Sequence, residues 1–272
     1  MVAYLGAQPE DISFALLLTY AGIIAILPVQ FRFLRYFELR AYLLLNIILA
    51  VVLNVFCVNC QDIHVFFALR FLQGILIGNT ASCALTLIFT RLHSERAQAV
   101  GSAVFYGTIL ANTVLIGLVA GAVVNATDWR FTYNYLIGFQ LLTLLMILLT
   151  MRSSSGHKPY PLYQIDWAGF IIIACTAVAF AYTMIFGSKY YWFADSRIVY
   201  SGLITVCGAL LFCYSQWIRK RPLIYIRAFT YPNFILGLCL LAIYYGSKDS
   251  ISLVYNYAGG VLKWSTATLQ QW

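Results

Sequence analysis

Eight apolar runs, each long enough to cross a bilayer as a helix, divide this chain from end to end: Ile12–Val29, Ala41–Cys57, Val65–Thr90, Ala97–Val124, Tyr133–Met151, Trp167–Gly187, Ile198–Ile218 and Phe234–Tyr257. About 20 apolar residues in a helix span a hydrocarbon layer ~30 Å thick. In lipid every backbone N–H and C=O must find its partner inside the protein, which leaves helices or a closed barrel. The runs are continuous rather than alternating, so a barrel is excluded. Composition closes off the soluble alternative: 62% of the 272 residues are hydrophobic and 10% charged, where a soluble chain is about a quarter charged. The sequence predicts an all-α integral membrane protein, a polytopic bundle of about eight transmembrane helices with the lipid bilayer as its first partner.

A net charge of +8 suggests nucleic acid until the cations are placed. Eleven of the 17 Lys and Arg lie in loops after runs one, three, five and seven: Arg32, Arg35, Arg40; Arg91, Arg96; Arg152, Lys158; and Arg219, Lys220, Arg221, Arg227. The opposite loops and the tail carry Arg130, Lys189, Arg197 and Lys263, and Arg70 and Lys248 fall inside runs. This asymmetry is a topology signal, not a phosphate-binding face. It puts the odd-numbered ends in the cytoplasm and makes a multi-pass plasma-membrane protein the expectation. Both Met1 and Trp272 then lie outside, and Met1–Glu10 has no signal-peptide pattern. The chain therefore reads as a piece of something larger, with a preceding span missing. Cys57 and Cys60 form a CxxC without a histidine or a second CxxC, so neither a zinc site nor any other cofactor is expected. Trp129, Tyr190-Tyr191-Trp192, Trp217 and Trp264 sit beside run ends, as headgroup anchors do.

Polar residues inside the runs are the candidate functional sites. Arg70 stands in the third run, in Leu69-Arg70-Phe71-Leu72-Gln73-Gly74. An arginine well inside a membrane helix costs at least ~2.5 kcal/mol, so it faces a protein interior or a watery cavity. The alternative is that it lies within a turn of the end and snorkels to the interface. Asn79, Thr80 and Ser82 give the same run a polar patch, and Asn112 and Thr113 stand mid-run in the fourth. These either line a cavity or bond a neighbouring helix. Gly107, Gly117 and Gly121 mark the fourth run for close helix approach, either as plain packing or as a face that slides or bends. In the last run Lys248-Asp249 follows Gly246. Either the charges face a cavity, with Gly246 breaking the helix, or the span ends near Gly246 and they already lie among headgroups. No run-facing HxxxH, Ser-His-Asp order or carboxylate cluster appears, and His64, His93 and His157 fall in loops or at run edges. No enzyme is expected.

Four segments together resemble a known family. Arg70-Phe71-Leu72-Gln73-Gly74 is similar to an RxxQG pattern, and Asp128-Trp129-Arg130-Phe131-Thr132-Tyr133-Asn134 to WRWxFxIN. Asp166-Trp167-Ala168-Gly169 is similar to DWxG, and Pro222-Leu223-Ile224-Tyr225-Ile226-Arg227-Ala228-Phe229 to PLIDLRLF. In this order and at these gaps they resemble the major facilitator superfamily, most closely the fourteen-span drug–proton antiporters of the EmrB/QacA type. The basic segment Pro28–Arg40 takes the place of the family's gating loop, with Phe31, Arg35 and Glu38 where glycine, aspartate and glycine are usual. Gly117–Ala122 takes the place of GPxxGG and lacks its proline.

The resemblance implies a division into residues 1–151 (family spans two to six), a cytoplasmic linker 152–165, a central extra helix pair 166–218, and 219–272 as a basic cytoplasmic loop that starts the C-terminal bundle. It implies a secondary transporter that exports an amphiphilic or cationic small molecule in exchange for protons. Arg70, with Gln73 and Gly74, would serve proton coupling. Asn79 and Asn112 would line the path, Lys248 and Asp249 would respond to substrate or protonation, and Arg32, Arg35 and Arg40 would stabilise a state closed at the cytoplasmic face. The other expectation is a truncated remnant, or a half-protein that needs the missing part of the transporter as a partner.

Overall fold

Pro9 opens the first helix, where its missing N–H costs nothing, and the backbone N–H of Gln8 donates to the Asp11 carboxylate at 2.8 Å. From there the computed structural model of the protein is helical nearly throughout. It describes residues 6–91, 99–109, 111, 129–152, 165–219 and 222–260, without the side chains at 31, 91, 129, 130, 245 and 248–260. Helix α1 covers Pro9–Tyr36, α2 Leu39–Asn59 and α3 Ile63–Arg91. Next come α4 over Ala99–Ile109, α5 over Trp129–Thr150 and α6 over Trp167–Phe186. The last two are α7 over Ser196–Ile218 and α8 over Pro232–Gly260. These follow the eight apolar runs in order, and no strand occurs among the described residues. Six of them (α1, α2, α3, α5, α6 and α7) are long and apolar enough to cross a membrane. Asn112, Gly117 and Gly121 lie outside the described residues.

The chain forms two units, residues 1–224 and 225–272. In the first, the packing runs from α5 to α2 to α3 to α1 to α6 to α7. The α1–α3 contact is the closest, because glycines face each other across it. A Cβ on Gly74 would fall on the backbone carbonyl of Thr19, and one on Gly22 on the carbonyl of Phe71. Gly78, one turn beyond Gly74, receives the Ile26 side chain. Small residues let membrane helices approach to van der Waals contact, the main attraction available when the solvent is as apolar as the protein. On the other side of α1, Phe14 and Leu18 are buried with Ala181, Phe186 and Ile198. Phe14 meets Phe67, Tyr182 and Phe186 edge-on at 5.0, 5.8 and 5.5 Å.

The faces turned away from these contacts are apolar. Leu203, Val206, Leu210 and Leu211 on α7 and Leu141, Leu142, Leu145 and Leu149 on α5 are all exposed. Such continuous apolar surface is untenable in water and is what a lipid-facing helix presents.

The basic segment after the first run is mostly helix rather than loop. α1 continues through Pro28, Arg32 and Arg35 to Tyr36, and only Phe37 and Glu38 separate it from α2. Proline removes one helical hydrogen bond, but packing holds the helix together there. Ile26 and Val29 are buried with Ile165, against Phe33, Ile75, Phe170 and Leu223. The turn itself is fixed by aromatic stacking of Phe37 on Tyr42 at 5.4 Å and by the Phe37 N–H donating to the Phe33 carbonyl at 3.0 Å.

α6 begins with a cap that accounts for the Asp-Trp-Ala-Gly sequence. The Asp166 carboxylate accepts from the Gly169 N–H at 2.8 Å, and a Cβ on Gly169 would lie 2.5 Å from that carboxylate. Asp166 also accepts from Gln216 Nε2 at 3.0 Å and pairs with Arg219 at 2.6 Å, both from the end of α7. Gln216 Oε1 in turn accepts from the backbone N–H groups of Leu223 and Ile224. One buried carboxylate thus ties together the start of α6, the end of α7 and the segment that follows. At the opposite end of this hairpin Lys189 donates to Gln8 and lies over the rings of Phe186 and Tyr190, while Trp192 packs on Gly187.

In the second unit a short 3-10 turn, Ile226–Thr230, leads into α8, and Phe229 meets Phe234 edge-on at 5.3 Å. α8 runs through Gly246 without a break and carries Lys248 and Asp249 within its helical length.

A polar cavity between three helices

α2, α3 and α5 line a half-open cavity of about 450 Å³. Its wall is built by helical spacing. α3 contributes Arg70, Gln73, Ile77 and Thr80, α2 contributes Ala50 and Asn54, and α5 contributes Tyr133, Leu136 and Gln140. Residues three or four apart share a face of a helix, so each set forms one stripe turned inward.

Arg70 lies two turns inside α3, and its side chain points back toward the first turn of that helix. Its guanidinium sits 5.0 Å from the Phe66 ring and 5.7 Å from the Tyr133 ring, both buried. Aromatic faces attract a cation more strongly once water is removed. Nη1 donates to Gln73 Oε1 at 3.2 Å, while the buried Nε has no hydrogen-bond partner. Gln73 Nε2 donates to Asn54 Oδ1 at 2.7 Å and to Cys57 Sγ at 3.4 Å, and Asn54 Nδ2 donates to Gln140 Oε1 at 2.9 Å. This relay crosses from α3 to α2 to α5. Because a guanidinium only donates, it forces Gln73 to present its oxygen, and that choice orients Asn54 and then Gln140.

A second cluster lies along the same seam toward the α1–α2 turn. Asn46 Nδ2 donates to Thr80 Oγ1 at 3.4 Å and Asn79 Nδ2 to Asn46 Oδ1 at 3.4 Å. Gln30 Nε2 donates to the Asn79 backbone carbonyl at 3.4 Å, and the Tyr42 hydroxyl donates to Gln30 Oε1 at 3.2 Å. Asn79 is thus held between α1, α2 and α3, with its Oδ1 buried and unpartnered. The seam is built from carboxamides and hydroxyls. Each amide can both give and receive a hydrogen bond, which satisfies a buried polar group without a charge.

The structure brings Arg70 and Gln73 to one cavity and places Asn79 about two turns further along α3. Gly74 faces the other way, into the α1 contact. Arg40 reaches across from the start of α2 to the Leu148 carbonyl near the end of α5 at 3.3 Å, while Arg35 is exposed on the last turn of α1 beside Arg32. A Cβ on Gly107 would meet nothing within 4 Å. Sequence reasoning missed Gln30, Asn46, Asn54, Tyr133 and Gln140. A signal for two of them was present, since Asn46, Ala50, Asn54 and Cys57 recur at helical spacing through an otherwise apolar run.

Replacing Gln73 by leucine is expected to orphan Asn54 Oδ1 and remove the acceptor for Arg70. The expected loss of stability is ~1–3 kcal/mol, the cost of leaving buried polar groups unpaired. Thermal unfolding of the purified protein in detergent checks it.

Fold and cavity together define a polytopic α-helical membrane protein with a cation-bearing polar cavity inside its bundle. No protein-family model matches the sequence. Over 250 residues, 90% of this chain and 52% of the relative, it is 22% identical to the uncharacterized MFS-type transporter YcnB of Bacillus subtilis strain 168. Over 153 residues, 55% of this chain and 30% of the relative, it is 28% identical to the lincomycin resistance protein LmrB of the same strain. The chain spans about half the length of the first of these relatives and less of the second. The similarities support a membrane transporter of the major facilitator superfamily, not an enzyme.

Proposed function

We propose that this chain forms part or all of a secondary active transporter in the plasma membrane that carries amphiphilic small molecules outward in exchange for protons. The observation that carries the proposal is the cavity between α2, α3 and α5, with Arg70 set against two aromatic rings and linked by carboxamides to both neighbouring helices. A charged residue inside a membrane marks a substrate or ion path by default, and a transporter places that path near the bilayer midplane. The similarity to an MFS-type transporter and to a lincomycin resistance protein supports the class and an efflux direction.

In this reading the helices rock about the cavity to give alternating access. Arg70 and Gln73 serve coupling, Asn79 and Asn112 line the path, and Gly74, Gly117 and Gly121 allow close helix approach. Arg32, Arg35 and Arg40 stabilise a state closed at the cytoplasmic face, and Lys248 and Asp249 respond to substrate or protonation. Residues 166–218 form an extra helix pair between the two bundles of the whole transporter.

The test is efflux of an amphiphilic dye from cells expressing the protein. Efflux is expected to collapse when a proton uncoupler is added and to be lost in Arg70→Ala at unchanged membrane abundance. Efflux that ignores the uncoupler would remove the proton from the mechanism, and an active Arg70→Ala variant would remove Arg70 from the coupling.

A further inference from the structure

Within the transporter reading, the cavity's hydrogen-bond polarity narrows the substrate. The guanidinium of Arg70 only donates, so the relay runs one way from it. The oxygens of Gln73, Asn54 and Gln140 are each taken by the preceding donor. At one end stands the guanidinium, which lines the cavity, and at the other the Gln140 amide nitrogen, which lines it too and which no described acceptor takes. Both ends of the relay therefore offer N–H.

Charge points the same way. The described carboxylates occupy helix ends rather than the cavity. Asp11 and Asp195 cap helix starts, Asp62 accepts from the His64 N–H, and Asp166 pairs with Arg219. Arg70 thus brings a positive charge to the cavity wall, where the rings of Phe66 and Tyr133 compensate it only in part. A cation entering this space would meet like charge and donors, while an anion would meet a guanidinium built for two-point contact. Apart from Thr80 and Tyr133, the rest of the wall, Ala50, Leu76, Ile77, Ala81 and Leu136, is apolar.

We infer that this cavity binds the anionic group of an amphiphile, a carboxylate or similar oxyanion, at Arg70, with its apolar body against Ile77 and Leu136. The substrate class is an organic anion rather than an organic cation. Its word "substrate" rests on the transporter reading, and its binding chemistry stands on the cavity alone.

Three naphthyl amphiphiles with one shared body and a carboxylate, a carboxamide or a trimethylammonium head test it. Binding is measured on the protein in phosphatidylcholine nanodiscs, with empty discs as the partition blank. The carboxylate is expected to bind about tenfold or more tightly than the carboxamide, and the ammonium most weakly. Arg70→Gln removes the preference for the carboxylate. Gln140→Glu keeps the acceptor that Asn54 needs, adds a negative charge, and inverts the preference toward the ammonium. That variant and the wild-type ranking keep the test decisive if Arg70→Gln does not fold. Equal binding of the three probes, or a carboxylate preference that survives Gln140→Glu, overturns the inference. Native mass spectrometry with added phosphatidylglycerol provides the other arm. Lipid retained by the wild type and lost in Arg70→Gln would give the anion to a lipid headgroup and overturn the substrate assignment, whereas equal retention supports it. Carboxylate-selective binding without flux in proteoliposomes would sink the transporter reading alone. Flux of the ammonium probe at the same rate in Arg70→Gln would sink this inference and leave transport standing.

Discussion

Gly74→Val is expected to abolish accumulation of folded protein, although glycine to valine adds only three carbons. At this position the Cβ alone would fall on the Thr19 carbonyl and lie 3.1 Å from the Gly22 Cα. Those are backbone atoms, so no rotamer change relieves the overlap and the two helices must part. Overpacking usually costs ~1–3 kcal/mol where side chains can shift, and a backbone clash belongs at or above the top of that range. The damage spreads, because parting α1 from α3 also withdraws Ile26 from Gly78 and lengthens the Gln30–Asn79 hydrogen bond, already 3.4 Å. Gly22→Val is expected to do the same through the Phe71 carbonyl. Gly138→Ala is the control, since a Cβ there would meet nothing within 4 Å and a helical glycine gains ~0.5–1 kcal/mol on becoming alanine. Fluorescence-detected size exclusion and melting temperature in detergent separate these outcomes. A Gly74→Val protein that runs as a single sharp peak with an unchanged melting temperature would refute the close crossing.

The second large effect is expected at Asp166, with an order of severity that ion-pair counting would miss. Asp166→Ala removes the α6 cap, worth ~1 kcal/mol, and leaves the Gln216 amide without its acceptor, a further ~1–3 kcal/mol. Gln216→Leu orphans one carboxylate oxygen and the N–H groups of Leu223 and Ile224, again roughly 1–3 kcal/mol. Arg219→Gln costs least. The Arg219 side chain is 44% exposed while that of Asp166 is 2% exposed, and a solvated partner contributes only ~0–1 kcal/mol. The expected melting order is therefore wild type, Arg219→Gln, Gln216→Leu, Asp166→Ala. Hydrogen exchange adds a specific reading: Gln216→Leu strips protection from the amides of Leu223 and Ile224, and Arg219→Gln leaves them protected. The reverse order for Arg219 and Gln216 would mean that the ion pair, not the amide bridge, holds the hairpin.

Much of the fold was legible because the bilayer admits so few solutions. Once a run such as Ala41–Cys57 is long, apolar and continuous, its helix follows from backbone hydrogen bonding alone. The end of α1 was less legible, because proline and three arginines in Pro28–Arg40 read as a loop, whereas tertiary packing of Ile26, Val29 and Phe33 keeps the segment helical. Arg70 stood out as the only charge in its run, but its surroundings did not. Gln140 and Asn54 are ordinary amides in their own runs, and only the pairing of α2 with α5 brings them together. Gly74 shows the limit from the other side. It adjoins Arg70 and Gln73 in sequence, but the 100° step of a helix turns it away from their cavity and onto α1.

The amide seam also bears on how this protein is made. A charged residue at the centre of a helix adds ~2.5–3.5 kcal/mol to the cost of entering the bilayer, and an amide adds less. α2 carries Asn46 and Asn54 yet stays strongly apolar, so it can leave the insertion machinery unaided. α3, with Arg70, is the least apolar of the membrane-length helices. It gains most from a partner that is already inserted, and α1 and α2 both precede it in the chain. Synthesis order thus supplies the glycine face of α1 and the carboxamides of α2 before the arginine has to be housed.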